Sequence, residues 1–239
     1  MIPLRDDNPT SIKPILTVTL IAINVVVFLY QVSLPPRQGN LFVYQFGAIP
    51  SVIFGPDRLP SGLEVIPPAL ALLTSMFLHG GWMHLIGNMW YLWIFGNNIE
   101  DAMGRVRYLV FYLLSGLAAS VCHAYFNLHS KVPSIGASGA ISGVLGAYLL
   151  LYPRARVLVL IPLGFFTRLL YVPAMFVLGF WFLMQVLSGT LSGAQAGGVA
   201  WWAHIGGFVA GMAMVGVFKR SEVRFFNSPR HRYGITEEW

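Results

Sequence analysis

Residues Ser138–Pro153 read SGAISGVLGAYLLLYP. Every residue up to Tyr152 is apolar or small, and Pro153 then removes the N–H that a further helical turn would need. Gly139, Gly143 and Ala147 recur every four residues, so they share one helical face. In lipid, such a small-residue stripe lets two helices approach closely. A matching stripe, Ala203/Gly207/Gly211, lies in the apolar run Val199–Phe218. The two runs are expected to pack against each other.

The rest of the chain agrees with a lipid solvent. Of its 239 residues, 56% are hydrophobic and 10% charged, against about 25% charged in a soluble domain. Spans are expected at Pro14–Leu34, Trp82 to Phe95 or slightly beyond, Arg107–Asn127, Ser138–Tyr152, Tyr171–Leu187 and Val199–Phe218. Ile66–His79 is too short to cross and reads as interfacial or re-entrant. Arg154–Leu170, broken by Pro162 and Gly164, reads as a connection on the membrane surface. The fold class is therefore all-α, a polytopic six-helix membrane protein of one domain over residues 1–239. The first run is too long for a signal-peptide core and lacks a small-residue cleavage site, so it is retained as a span. Cys122 stands alone in an apolar run and offers no disulfide or cysteine-based metal site.

Twelve of the 15 lysines and arginines fall in residues 1–13, the second-to-third loop, the fourth-to-fifth connection and the tail 219–239. The positive-inside rule then makes both tails cytoplasmic. The basic, aromatic-flanked stretch Lys219–Arg232 reads as a topology signal meeting anionic lipid, not as a nucleic-acid patch.

With that topology, spans two, four and six start at the same membrane face. Their first turns carry His84 and Asn88, Ser138, and His204, respectively. At about 22 Å, span four is shorter than the roughly 30 Å hydrocarbon layer. Its outer end is expected to lie below the surface, with the loop 129–137 dipping in behind it. Non-helical backbone at that depth must be buried in protein or line water, so Ser138 is expected at the floor of a small wet cavity.

A serine becomes a useful nucleophile when a neighbouring base takes its proton, and histidine suits that task near neutral pH. No Asp or Glu lies within the six expected spans, because Glu100 and Asp101 fall at the cytoplasmic end of the second. A Ser138–His204 dyad is available; an acid-completed triad is not. The Ser138 amide sits at a helix N-terminus, and His84 and Asn88 could add donors to a developing oxyanion. His79 and His84 lack the glutamate of a zinc-protease H-E-x-x-H, and Gly136–Gly139 is not a G-x-S-x-G elbow. Ser142, one turn deeper, is the competing nucleophile. Asn24 reads as an interhelical hydrogen bond, and His123 and His129 as structural.

At these residues the chain resembles the rhomboid family of intramembrane serine proteases. The resemblance rests on HGGWMHLIGN (His79, His84, Asn88), GASG (Gly136–Gly139) and AHIGGFVAG (Ala203–Gly211), with EDAMGR (Glu100–Arg105) resembling the family's turn after span two. It implies Ser138 as nucleophile and His204 as general base. It also implies His84, Asn88, Gly136 and the Ser138 amide at the oxyanion and substrate site. Span five, with Phe176, Phe180 and Trp181, would be a lateral gate, and Ser188–Gly198 a cap. Two departures stand out. Leu70 and Ala71 replace a Trp-Arg pair of the first loop, and Ser142 replaces an aromatic residue that stacks on the histidine.

The expectation is a serine endopeptidase that uses no metal or cofactor. It would act on transmembrane segments of other proteins and contact membrane lipids but no nucleic acid. No oligomeric state is read from the sequence, and a bacterial plasma membrane is the expected setting. The alternatives are a non-enzymatic relative that escorts membrane clients, and a transporter, which usually carries buried acids.

Overall fold

The computed structural model describes residues 1–163, 166–191 and 199–227. In chain order the elements are β1 (Ile2–Asp6), α1 (Ile15–Ser33), α2 (Pro36–Phe46), the single turn α3 (Pro50–Ile53) and α4 (Pro68–Thr74), which runs into a 3-10 turn at Ser75–Phe77. Then follow α5 (Trp82–Met103), α6 (Arg105–Phe126), α7 (Ser138–Leu151), β2 (Arg156–Leu163), β3 (Phe166–Pro173), α8 (Ala174–Leu191) and α9 (Trp201–Phe218).

The chain is a polytopic helical membrane bundle. Helices α1, α6, α8 and α9 are each long and apolar enough to cross a bilayer. The segment Pro68–Phe77 meets α5 at 81°, a broken or re-entrant arrangement at the run expected to be too short to span. Each of the six expected segments carries a helix, the 14-residue α7 among them, and four or five of these have the length and composition of a span. Helix α7 is the core, buried continuously from Gly139 to Tyr148.

Helices α7 and α9 touch through the two stripes. A Cβ on Gly207 would strike the Gly139 carbonyl, and one on Gly211 would strike the Gly143 backbone. On the other flank of α7, a Cβ on Gly139 would lie 2.6 Å from the Ala119 side chain of α6. Glycine is required here for backbone proximity, as close helix packing in lipid demands.

Several boundaries differ from the sequence reading. Helix α5 continues past Asn98 to Met103 because its acidic end is taken in by neighbours. Fully buried Glu100 accepts from the N–H groups of Leu16 (3.0 Å) and Thr17 (2.8 Å) and from Thr17 Oγ1 (2.8 Å). A carboxylate there satisfies the orphan donors of the α1 N-terminus and complements its dipole. Asp101 accepts from the N–H and hydroxyl of Ser11 at 2.8 and 2.7 Å. Asn24 donates to Leu20 O at 2.7 Å in its own helix; it is not the interhelical bond expected. The basic tail begins as a tie across the bundle end. Arg220 N–H donates to Ala102 O, and the N–H groups of Phe226 and Asn227 donate to Leu150 O and Leu151 O, capping orphan carbonyls of α7. The remainder of that tail, 228–239, lies outside the described residues.

The larger departure is a sheet. Strands β1, β2 and β3 pair antiparallel in that order, although residues 1–13 read as a tail and 154–170 as a connection on the membrane surface. Val157 and Val159 of β2 are fully buried. Strand β1 is fastened to the bundle by Trp90 Nε1–H donating to Pro3 O (2.6 Å) and Tyr148 Oη–H donating to Asp6 Oδ2 (2.7 Å). Tyr171–Pro173, expected in span five, complete β3, and α8 begins just after Pro173, consistent with the helix disfavoured before a proline.

Candidate active site

The loop before Ser138 is pinned on both sides. Ala48 and Ser134 exchange backbone hydrogen bonds at 2.8 and 3.1 Å, and Gly136 N–H donates to Ser75 O at 2.9 Å. Gly136 has φ +127°, a backbone state that L side chains rarely adopt. A Cβ there would also lie 2.7 Å from His84 Nε2 and 3.6 Å from Ser138 Oγ. Glycine thus allows the His84 ring and the Ser138 hydroxyl to share one small volume.

Ser138 opens α7, so its amide has no intrahelical acceptor and lies at the positive end of the helix dipole. Its Oγ is 2.8 Å from His204 Nε2. The close packing of α7 on α9 described above produces that meeting. Ser138, His204, His84 and Gly136 are all half-buried, which leaves them open to a small reagent.

His204 Nδ1 is 2.8 Å from Gln185 Oε1, an amide oxygen that can only accept. This partner fixes the tautomer: Nδ1 carries the hydrogen and Nε2 is free to take the proton of Ser138. Gln185, buried on α8, donates in turn to Trp181 O at 3.1 Å. The Trp181 ring lies 5.9 Å from the imidazole, tilted by 36°, and Trp201 meets it edge-on at 6.2 Å. The imidazole is therefore held from α8 and from its own helix, where an aromatic residue on α7 is missing. Ser142 Oγ–H donates to Ser138 O at 2.6 Å and is fully buried, an ordinary back-bond of a helical serine.

The Gly80 N–H donates to His84 Nδ1 at 3.4 Å, which leaves Nε2–H as the donor aimed toward Gly136 and Ser138. Asn88 is placed differently. Its Nδ2 donates to His79 Nε2 at 2.9 Å, and among the described residues no hydrogen bond joins it to Ser138. Fully buried His79 receives Gln31 Nε2–H on its carbonyl at 2.7 Å and packs 5.2 Å from His84. Among the described residues no three His, Cys, Asp or Glu side chains converge to hold a metal ion. Phe176 and Phe180 are exposed on α8, and of the segment 188–198, residues 192–198 lie outside the described residues.

Gln185 is the site residue that the sequence reading missed. Its signal was available as a lone amide within an apolar span, where a polar side chain is costly unless it has a task.

Comparisons with known proteins converge on one family. The Rhomboid domain matches residues 68–221. The chain is 36% identical over 140 residues to "Rhomboid protease GluP" of Bacillus subtilis (strain 168), covering 59% of this chain and 24% of that one. It is 28% identical over 169 residues to "Rhomboid protease AarA" of Providencia stuartii, covering 60% and 56%. "Rhomboid protein 1, mitochondrial" of Saccharomyces cerevisiae (strain ATCC 204508 / S288c) is 30% identical over 102 residues, covering 41% and 30%. The matched stretch thus spans between 24% and 56% of the length of these relatives.

Proposed function

The chain belongs to the rhomboid family, and from that premise we propose that it is an intramembrane serine endopeptidase working through a Ser138–His204 dyad. The observation that carries the reading is the 2.8 Å approach of Ser138 Oγ to His204 Nε2 across two membrane helices. As Oγ attacks the scissile carbonyl, its proton passes to Nε2, and Gln185 Oε1 holds the Nδ1–H of the resulting imidazolium. The tetrahedral oxyanion forms beside the Ser138 amide and His84 Nε2–H; one such donor is worth about 3–4 kcal/mol of barrier. Nε2–H then protonates the leaving amine. Water attacks the acyl-enzyme, gives its proton to His204, and releases the acid and the serine.

Asn88 acts in this scheme by holding His79 against His84, so its contribution to the oxyanion is indirect. Substrates are transmembrane segments of other proteins that unwind readily, because a peptide bond locked in a helix cannot present its carbonyl to Oγ. Six helices with both termini cytoplasmic, in a bacterial plasma membrane, are the proposed setting. The orientation rests on the distribution of basic residues.

Reconstitution with a single-span substrate tests the proposal. The parent is expected to cleave it, Ser142→Ala to retain activity, and Ser138→Ala to lose at least about a thousandfold in kcat/KM. Cleavage undiminished by Ser138→Ala would overturn the assignment, and a parent that binds but never cleaves would favour the escort reading.

A further inference from the structure

The turn His79–Gly81 leads into α5 and so sets where His84 stands, yet its own side chains do little to fix it. Two glycines follow His79, and an added Cβ on Gly81 would meet nothing within 4 Å. Glycine surrenders more conformational freedom on folding than any other residue, so this stretch needs an anchor on its backbone. The anchor comes from α1. Gln31, half-buried in the last turn of that helix, donates from Nε2 to His79 O at 2.7 Å. Its Oε1 accepts from the His79 N–H at 3.3 Å. A backbone N–H only donates and a C=O only accepts, so the two bonds together fix which way round the amide lies. Among the described residues, no backbone group takes either bond in its place. One turn earlier on α1, buried Phe28 meets the rings of His79 and Trp82 edge-on at 6.4 and 5.0 Å.

Two contacts run from the gripped residue and its neighbour to His84. Gly80 donates its N–H to His84 Nδ1 at 3.4 Å. The His79 ring, bonded by Asn88 at 2.9 Å, packs 5.2 Å from the His84 ring. The Gly80 bond is long for its kind and survives only while the peptide that carries it is held in place. The bond made at one imidazole nitrogen decides which tautomer is present. Once the Gly80 N–H leaves Nδ1, the proton is free to settle there, and Nε2 loses the hydrogen that faces Gly136 and Ser138.

Given the oxyanion role of His84, on which this rests, we propose that Gln31 is a positioning residue of the candidate site. By gripping His79 from α1, it keeps the Gly80 N–H on His84 Nδ1 and thereby keeps Nε2–H aimed at the developing oxyanion. Gln31 touches no reacting atom and acts through His84. This gives a task to an amide at the end of an apolar span, where a polar side chain is otherwise costly.

The test is a double-mutant cycle read on the rate at which a fluorophosphonate labels Ser138, because its phosphoryl oxygen takes the oxyanion position. Gln31→Met keeps the length of the side chain and removes both bonds. It is expected to slow labelling about tenfold in the parent and less than about twofold in a His84→Ala background. Equal slowing in both backgrounds, or none in the parent, would overturn the proposal, because a general loosening of the fold does not depend on His84. Gln31→Glu keeps an acceptor for the His79 N–H and should label faster than Gln31→Met; it carries the same cycle should Gln31→Met fail to fold. A second readout needs no chemistry. By NMR of isotope-labelled histidine, with His84 assigned by the loss of its signals in His84→Asn, the neutral ring should be the Nε2–H tautomer in the parent. In Gln31→Met it should be a mixture, and an unchanged tautomer would overturn the proposal. A parent whose Ser138 resists the fluorophosphonate would strike the Ser–His reading, and the tautomer would still decide the role of Gln31.

Discussion

Gln185 shows how one side chain can stand in for a missing acid. Its amide oxygen accepts from Nδ1 of His204, so it orients the imidazole without adding a charge to a low-dielectric interior. Replacing it by leucine keeps the bulk and removes the acceptor. Gln185→Leu is expected to lower kcat by about ten- to a hundredfold, the range for an unsatisfied buried partner, with KM nearly unchanged. Gln185→Glu, which keeps an acceptor, should retain more activity than Gln185→Leu in the same assay. Glu100 is a second such residue, acting on stability instead of chemistry. Glu100→Ala leaves the α1 N-terminus with buried, unmatched N–H groups and should cost about 1–3 kcal/mol of unfolding free energy. The activity of each folded molecule should not change. Ser138 and His204 were legible because serine and histidine are chemically conspicuous among apolar residues. Gln185 was marked only as a lone amide in an apolar span; its partner was not legible, since a glutamine there has no single expected partner and its distance in sequence from His204 carries no periodic signal.

Among the elements, α7 and α9 form the joint on which the site depends. Their glycines place backbone against backbone at Gly139/Gly207 and Gly143/Gly211, and the same contact sets the distance between Ser138 and His204. Gly211→Leu should force the helices apart, lower the thermal midpoint and reduce labelling of Ser138 by a fluorophosphonate. Gly179→Ala on α8, where an added Cβ meets nothing within 4 Å, is the matched control and should leave both unchanged. The stripe at every fourth residue made this joint readable from sequence. The sheet was hidden for two reasons. Residues 156–173 are apolar at both odd and even positions, so no two-residue alternation emerges. The partner strand β1 also lies some 150 residues earlier in the chain, and long-range pairing leaves no local trace.

For the whole molecule, the segments just before α1 and just after α9 are tied to the same end of α5. Ser11 and Arg220 both bond Asp101, and the proposed orientation puts that end in the cytoplasm. In the Cys122→Ser background, Ser11→Cys and Ser221→Cys should react with an impermeant maleimide from one face of a sealed vesicle. Lys131→Cys should react only from the other, and labelling of all three from one face would contradict the topology. The bundle itself was readable from hydropathy, because lipid requires each spanning backbone to satisfy itself within its helix. How the tails close its end was not, because those ties are single hydrogen bonds between segments far apart in sequence.

The measurement that bears most directly on all of this is the site of covalent capture by a fluorophosphonate, mapped by mass spectrometry in lipid. One adduct is expected on Ser138, abolished by His204→Ala and retained in Ser142→Ala. An adduct on Ser142, or one on Ser138 that forms equally well without His204, would contradict the account.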